Sequence, residues 1–114
     1  MRRIALIAAL TALSATPALA QTFTGNWSCR DATTQKAGIL TIYGNVYGFS
    51  STVFGDKSSG TGTITGYEDG VGFNDGGLKA TRSIQQGRLI PDPTYGTAIQ
   101  LETADAIVML CTPR

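Results

Sequence analysis

The side chains in this chain that could carry out chemistry are few: eight carboxylates, two cysteines and no histidine. Without histidine no imidazole can deprotonate a serine or cysteine nucleophile, and the commonest metal ligand is missing. Cys29 and Cys111 stand near opposite ends of the chain, outside the Cys-x-x-Cys spacing that activates a thiol. A pair of carboxylates can hydrolyse a glycoside. Here adjacent Glu68 and Asp69 point to opposite faces if extended, and the other acids fall mainly in turn-like sequence or at outward positions. The stretch YEDGVGFNDGGL repeats an acidic-glycine turn at six-residue spacing. It matches neither an EF-hand loop nor the Gly-Gly-x-Gly-x-Asp repeat, whereas Asp-Gly pairs are what turns with positive φ use. The expectation is a protein that is not an enzyme and holds no metal and no cofactor.

The candidate binding chemistry is aromatic and cationic. Trp27 is the single tryptophan; on a strand it is either a buried ring filling one end of a small core or the wall of a ligand cavity. Tyr43, Tyr67 and Tyr95 fall at outward or loop positions, and tyrosine is enriched at interfaces. In LKATRSI, Arg82 shares strand parity with Leu78, Ala80 and Ile84. A regular strand there turns a cation inward, where it needs a carboxylate or a ligand; a bulge or strand end at Thr81 releases it.

The elements that position these residues begin after an export signal. Arg2-Arg3, the apolar run Ile4 to Ala15 and the small-x-small triplet Ala18-Leu19-Ala20 read as a secretory leader over 1–20. The apolar run is shorter than the ~20 residues of a membrane span. Residues 21–114 are then a single domain with seven basic and eight acidic residues, exported to a bacterial periplasm or secreted. The basic residues are scattered singly, without the stripe that tracks phosphates, so no nucleic-acid partner is expected. In an exported chain Cys29 and Cys111 are expected to pair, closing a loop of about 83 residues.

All fourteen glycines follow the leader and punctuate short β-branched or aromatic runs. No eleven-residue window keeps a helical apolar stripe free of glycine or proline. Turn signals every 8–12 residues with alternation between them predict an all-β fold. TIYGNVYGF sets one register: Gly44-Asn45 forms a two-residue turn, Tyr43 faces Val46, Thr41 faces Gly48 and Ile42 faces Tyr47. Leu40, Ile42, Tyr47 and Phe49 then make the core face. By the same parity Ile64, Val71, Phe73, Ile99 and Leu101 point inward. PDPTYG reads as a loop or edge. The last run, Ala106 to Cys111, is apolar on both faces, so its outer side is expected to be covered or to serve as a contact. About eight short, evenly spaced strands favour an up-and-down antiparallel barrel over a two-sheet sandwich, because a Cys29–Cys111 bridge fastens the first strand to the last.

Gly25-Asn26-Trp27 on the first strand resembles the Gly-x-Trp signature of the calycins, the lipocalin- and avidin-type barrels. The resemblance implies a tryptophan packed at the closed end beneath an arginine from the last strand, with Arg114 as the nearest counterpart. In outline the chain is also similar to bacterial periplasmic inhibitors of secreted metalloproteases, in which a tail ahead of the first strand plugs the enzyme. Here Gln21, Thr22 and Phe23 precede Thr24-Gly25. The leading functional expectation is a binding module that engages a protein or envelope component through its surface. It would be monomeric or weakly dimeric and would not span a membrane. The alternatives are a calycin-type small-molecule binder using the Trp27 end, a protease inhibitor, and a hydrolase.

Overall fold

Alternating side chains between closely spaced turns produce strands too short to stand alone, and here they stabilise one another by closing a ring. The computed structural model describes residues 23–114; the leader proposed over 1–20 lies outside the described residues. The strands are β1 (Gly25–Asp31), β2 (Lys36–Tyr43), β3 (Val46–Ser51), β4 (Gly60–Tyr67), β5 (Gly70–Phe73), β6 (Gln86–Asp92), β7 (Gly96–Glu102) and β8 (Ile107–Pro113). One short helix, α1 (Gly77–Arg82), sits between β5 and β6. Every strand pairs antiparallel with its sequence neighbours, and β8 returns to β1 to complete a closed eight-stranded barrel rather than a sandwich.

The β2–β3 hairpin has the expected register throughout, with Tyr43 opposite Val46, Thr41 opposite Gly48 and Ile42 opposite Tyr47. Gly44 takes φ 63°, the left-handed conformation that a side chain resists. The inward set is buried as parity requires: Leu40, Ile42, Tyr47 and Phe49 are all at most 3% exposed. Cys29 and Cys111 are directly opposed across the β1–β8 seam and form a disulfide between residues 82 positions apart.

The interior is filled by side chains. Trp27, Ile64, Phe73, Ile99, Leu101 and Met109 belong to one buried cluster, and Tyr47 meets Phe73 edge-on with ring centroids 4.9 Å apart. Phe23, just ahead of β1, is buried, and its carbonyl accepts a 3.0 Å hydrogen bond from the Trp27 indole N–H. Leu78 and Ile84 close over the core beside α1. The Tyr47 hydroxyl ties this closure down: it donates to the Asp75 carbonyl at 2.9 Å and accepts from the Leu78 amide at 3.2 Å. Gly62 allows the approach, since a Cβ there would lie 2.6 Å from the Tyr47 ring and 2.5 Å from the Asp75 carbonyl oxygen.

Two sequence expectations are corrected. LKATRSI is no strand: Gly77–Arg82 is helical, ending at Ser83 in the left-handed conformation. Leu, Lys, Ala and Arg are good helix formers, and Ala80, inward on a strand, is exposed on the helix. PDPTYG is neither loop nor edge throughout, because Pro91 and Asp92 finish β6 and pair with Thr97 and Gly96. Of the two readings left open for the outer face of β8, cover or contact, the described chain supplies no cover: Ile107 is 58% and Leu110 38% exposed.

Candidate functional site

The outward positions of β8 build an open apolar surface on this barrel. Met109 and Cys111 point into the core, which sends Leu110 outward with Val108 partly exposed beside it. Ile107 begins the strand where the β7–β8 register shifts at Leu101/Glu102, so it is exposed although it is spaced evenly with inward Met109 and Cys111. Arg30 of β1 pairs with Leu110 and points outward with it. At one end of the strip lies the β1–β2 turn with Asp31, Ala32 and Thr34, and at the other Tyr95 from the β6–β7 turn. Together they line a groove of about 500 Å³ along the outside of β8.

Both ends of the groove are held by carboxylates acting as turn staples. Asp31 accepts from the Thr33 amide at 2.9 Å, the Thr33 hydroxyl at 2.7 Å and the Gln35 amide at 3.0 Å. The Thr33 hydroxyl bond is the main reason its carboxyl sits below the ordinary aspartate range. Asp92 accepts from the amides of Thr94 and Tyr95 at 3.0 and 2.8 Å, setting the turn that carries the Tyr95 ring.

The remaining candidate residues are not gathered into one site. Trp27 is interior and 5% exposed. Tyr43, Tyr67 and Tyr95 face outward but line three different depressions, Tyr43 with Val46, Tyr67 with Arg88, and Tyr95 on the β8 groove. Arg82 lies at the end of α1, its side chain 26% exposed, and pairs with Asp56 at 3.0 Å. The carboxylate anticipated for it is therefore present, on the β3–β4 loop rather than inside the barrel.

Asp56 was not legible as a hub. Its carboxylate accepts 2.6 Å bonds from the Ser51 and Ser58 hydroxyls besides the Arg82 bond. Those hydroxyls first, and Arg82 after them, hold its carboxyl far below the usual range. Glu102 plays the same part on the outer face, accepting from Arg88, Gln86 and Gln100. Arg88 first, then the two amides, lowers its carboxyl to about 2. Each of these acids is spent on holding backbone or neighbouring side chains, and among the described residues no cluster of three acidic or sulfur ligands could hold a metal.

Compared with protein-family models, with curated proteins and with solved structures, the chain matches none. The described residues contain no helix long and apolar enough to cross a membrane.

Proposed function

We propose that this chain is a small exported, non-enzymatic binding module that engages a protein partner through the groove along β8. The observation that carries the reading is the open strip of Ile107, Leu110 and Tyr95 on a rigid sheet, with Arg30 and Asp31 at its margin. Apolar and aromatic centres with a polar rim are the anatomy of protein interfaces. The disulfide agrees with an oxidising compartment. A small-molecule binder of calycin type needs an interior cavity, and the space beneath Trp27 is taken by core side chains. A plug ahead of β1 is disfavoured because Phe23 is itself core and bonded to Trp27.

The test is recovery from envelope extract by the tagged mature protein, run beside an Ile107→Lys/Leu110→Lys variant of unchanged melting temperature. A specific protein retained by the wild type and lost from the variant is the expected result. Equal recovery by both, or none by either, refutes the assignment of the groove.

A further inference from the structure

The loop joining β3 to β4 presents an aromatic side chain that touches nothing. Phe54 is fully exposed at 105%, and Val53 beside it is 45% exposed. Such a ring on a floppy loop would fold back onto the barrel, but this loop is held in place. Thr52 donates its amide to the Ala37 carbonyl at 3.0 Å, and Asp56 donates to the Val53 carbonyl at 3.1 Å. The Val53 amide is bonded to the Ser51 hydroxyl at 3.1 Å and the Ser58 amide to the Asp56 carboxylate at 3.2 Å. The Thr81 hydroxyl on α1 holds the Lys57 carbonyl at 3.2 Å. Phe54 is therefore displayed on a braced support.

The polar character of the tip is equally specific. Val53 has both backbone groups engaged, its amide by the Ser51 hydroxyl and its carbonyl by the Asp56 amide, which lowers the cost of bringing it into a medium poorer in hydrogen-bond partners. Asp56 in the loop is engaged by two hydroxyls and Arg82, and Asp31 in the neighbouring β1–β2 turn by Thr33 and Gln35. Two exposed lysines remain: Lys57 in the loop, and Lys36, which the Thr52–Ala37 bond brings to the same rim. Neither belongs to a salt bridge among the described residues. Apolar side chains projecting beyond a cationic collar match an anionic bilayer surface, where rings enter the headgroup boundary and each lysine gains from the negative potential. A convex tip of two residues falls well short of the ~800 Å² per partner of an ordinary protein interface. A bilayer makes no such demand on area or shape.

We infer that the Val53-Phe54 tip is a peripheral anchor that inserts into the interfacial layer of an anionic phospholipid membrane, with Lys36 and Lys57 against the headgroups. This surface is separate from the β8 groove, and its fate does not depend on the groove's.

The test is partition of the mature protein onto vesicles of phosphatidylglycerol and of phosphatidylcholine, measured by co-sedimentation at low and high salt. Wild type should bind phosphatidylglycerol at low salt, release at high salt, and leave phosphatidylcholine largely unbound. Phe54→Ser should weaken binding on the order of tenfold or more, given what burying a phenyl ring contributes. Lys36→Glu/Lys57→Glu should abolish it, and both variants should melt with the wild type. A Phe54→Trp variant should shift its emission to the blue on phosphatidylglycerol while buried Trp27 contributes a constant background. Absence of binding, equal binding to both lipids, or a Phe54→Ser variant that binds like wild type overturns the inference. Absence of binding, or a Phe54→Ser variant that binds like wild type, leaves the ring to a pocket on a protein.

Discussion

Opening the Cys29–Cys111 bridge should remove more stability than any other single change. The bond joins residues 82 positions apart, so in the unfolded chain it constrains nearly the whole domain. The chain-entropy relation gives about 4.5 kcal/mol for a loop of this length, and measured values fall between ~2 and 5. A domain of this size has only ~5–15 kcal/mol to lose. Each kcal/mol lowers the melting temperature by roughly 4–8 °C, so a drop of about 8–40 °C is expected. Both cysteines are buried, at 2% and 0% exposed, so the reduced sample must be prepared by reducing unfolded protein and refolding it with the reductant present. Urea melts of oxidised and reduced wild type isolate the cross-link, because the sulfurs stay in the core. A Cys29→Ala/Cys111→Ala variant then adds the loss of two packed sulfurs and should be less stable again. Oxidised and reduced forms with the same midpoint and slope would refute the reasoning: β1 and β8 would then be held by packing and ladder bonds alone.

Two further outcomes rest on the outer ion pairs. Glu102 titrates at about 2 in the folded chain against 4.5 ordinarily. Its contribution is therefore complete above about pH 4.5 and is lost as the pH falls toward 2. With Arg88 half exposed, no more than about 1 kcal/mol is expected, and Glu102→Gln should flatten the acid limb of a stability-against-pH curve; a limb of unchanged steepness would contradict this. Arg82→Met removes one of four bonds to the Asp56 carboxylate and should cost about 1 kcal/mol, read as a lowered melting temperature. An unaltered melt would mean that the two serines suffice to brace the loop.

The parts of the fold that could be read ahead were those where a turn pinned the parity. Gly44-Asn45 set the register of β2 and β3, and every inward residue followed. Beyond such anchors, period-2 reasoning lost its grip for definable causes. Leu78 and Arg82 are four residues apart, a separation that returns to the same face on a strand and on a helix alike. The need of Arg82 for a carboxylate was thus readable, although its element and its place outside the barrel were not. β6 was obscured because its inward position is Gly87, with no side chain to mark it, and because Pro91 resembles a strand breaker. The two-sided apolarity of β8 was plain in the sequence, but a register shift at Leu101/Glu102 decided that Ile107 faces out. Asp56 gathers partners from Ser51 and Ser58 nearby and from Arg82, 26 residues on, and nothing local announces that meeting. Phe54 did carry a signal, an aromatic alone among glycine, serine and aspartate.

Seven of the eight ladders in this barrel join neighbours in the chain, and the eighth joins β8 to β1, where the Arg114 amide reaches the Asn26 carbonyl at 3.0 Å. A ring built this way has no first member. Joining its two ends and cutting the chain between Gly44 and Asn45 would hand each strand the same two companions it has now. The order in which the ribosome delivers the strands is therefore a convention of this polypeptide, and the seam stapled by sulfur is special only because the chain happens to be open there.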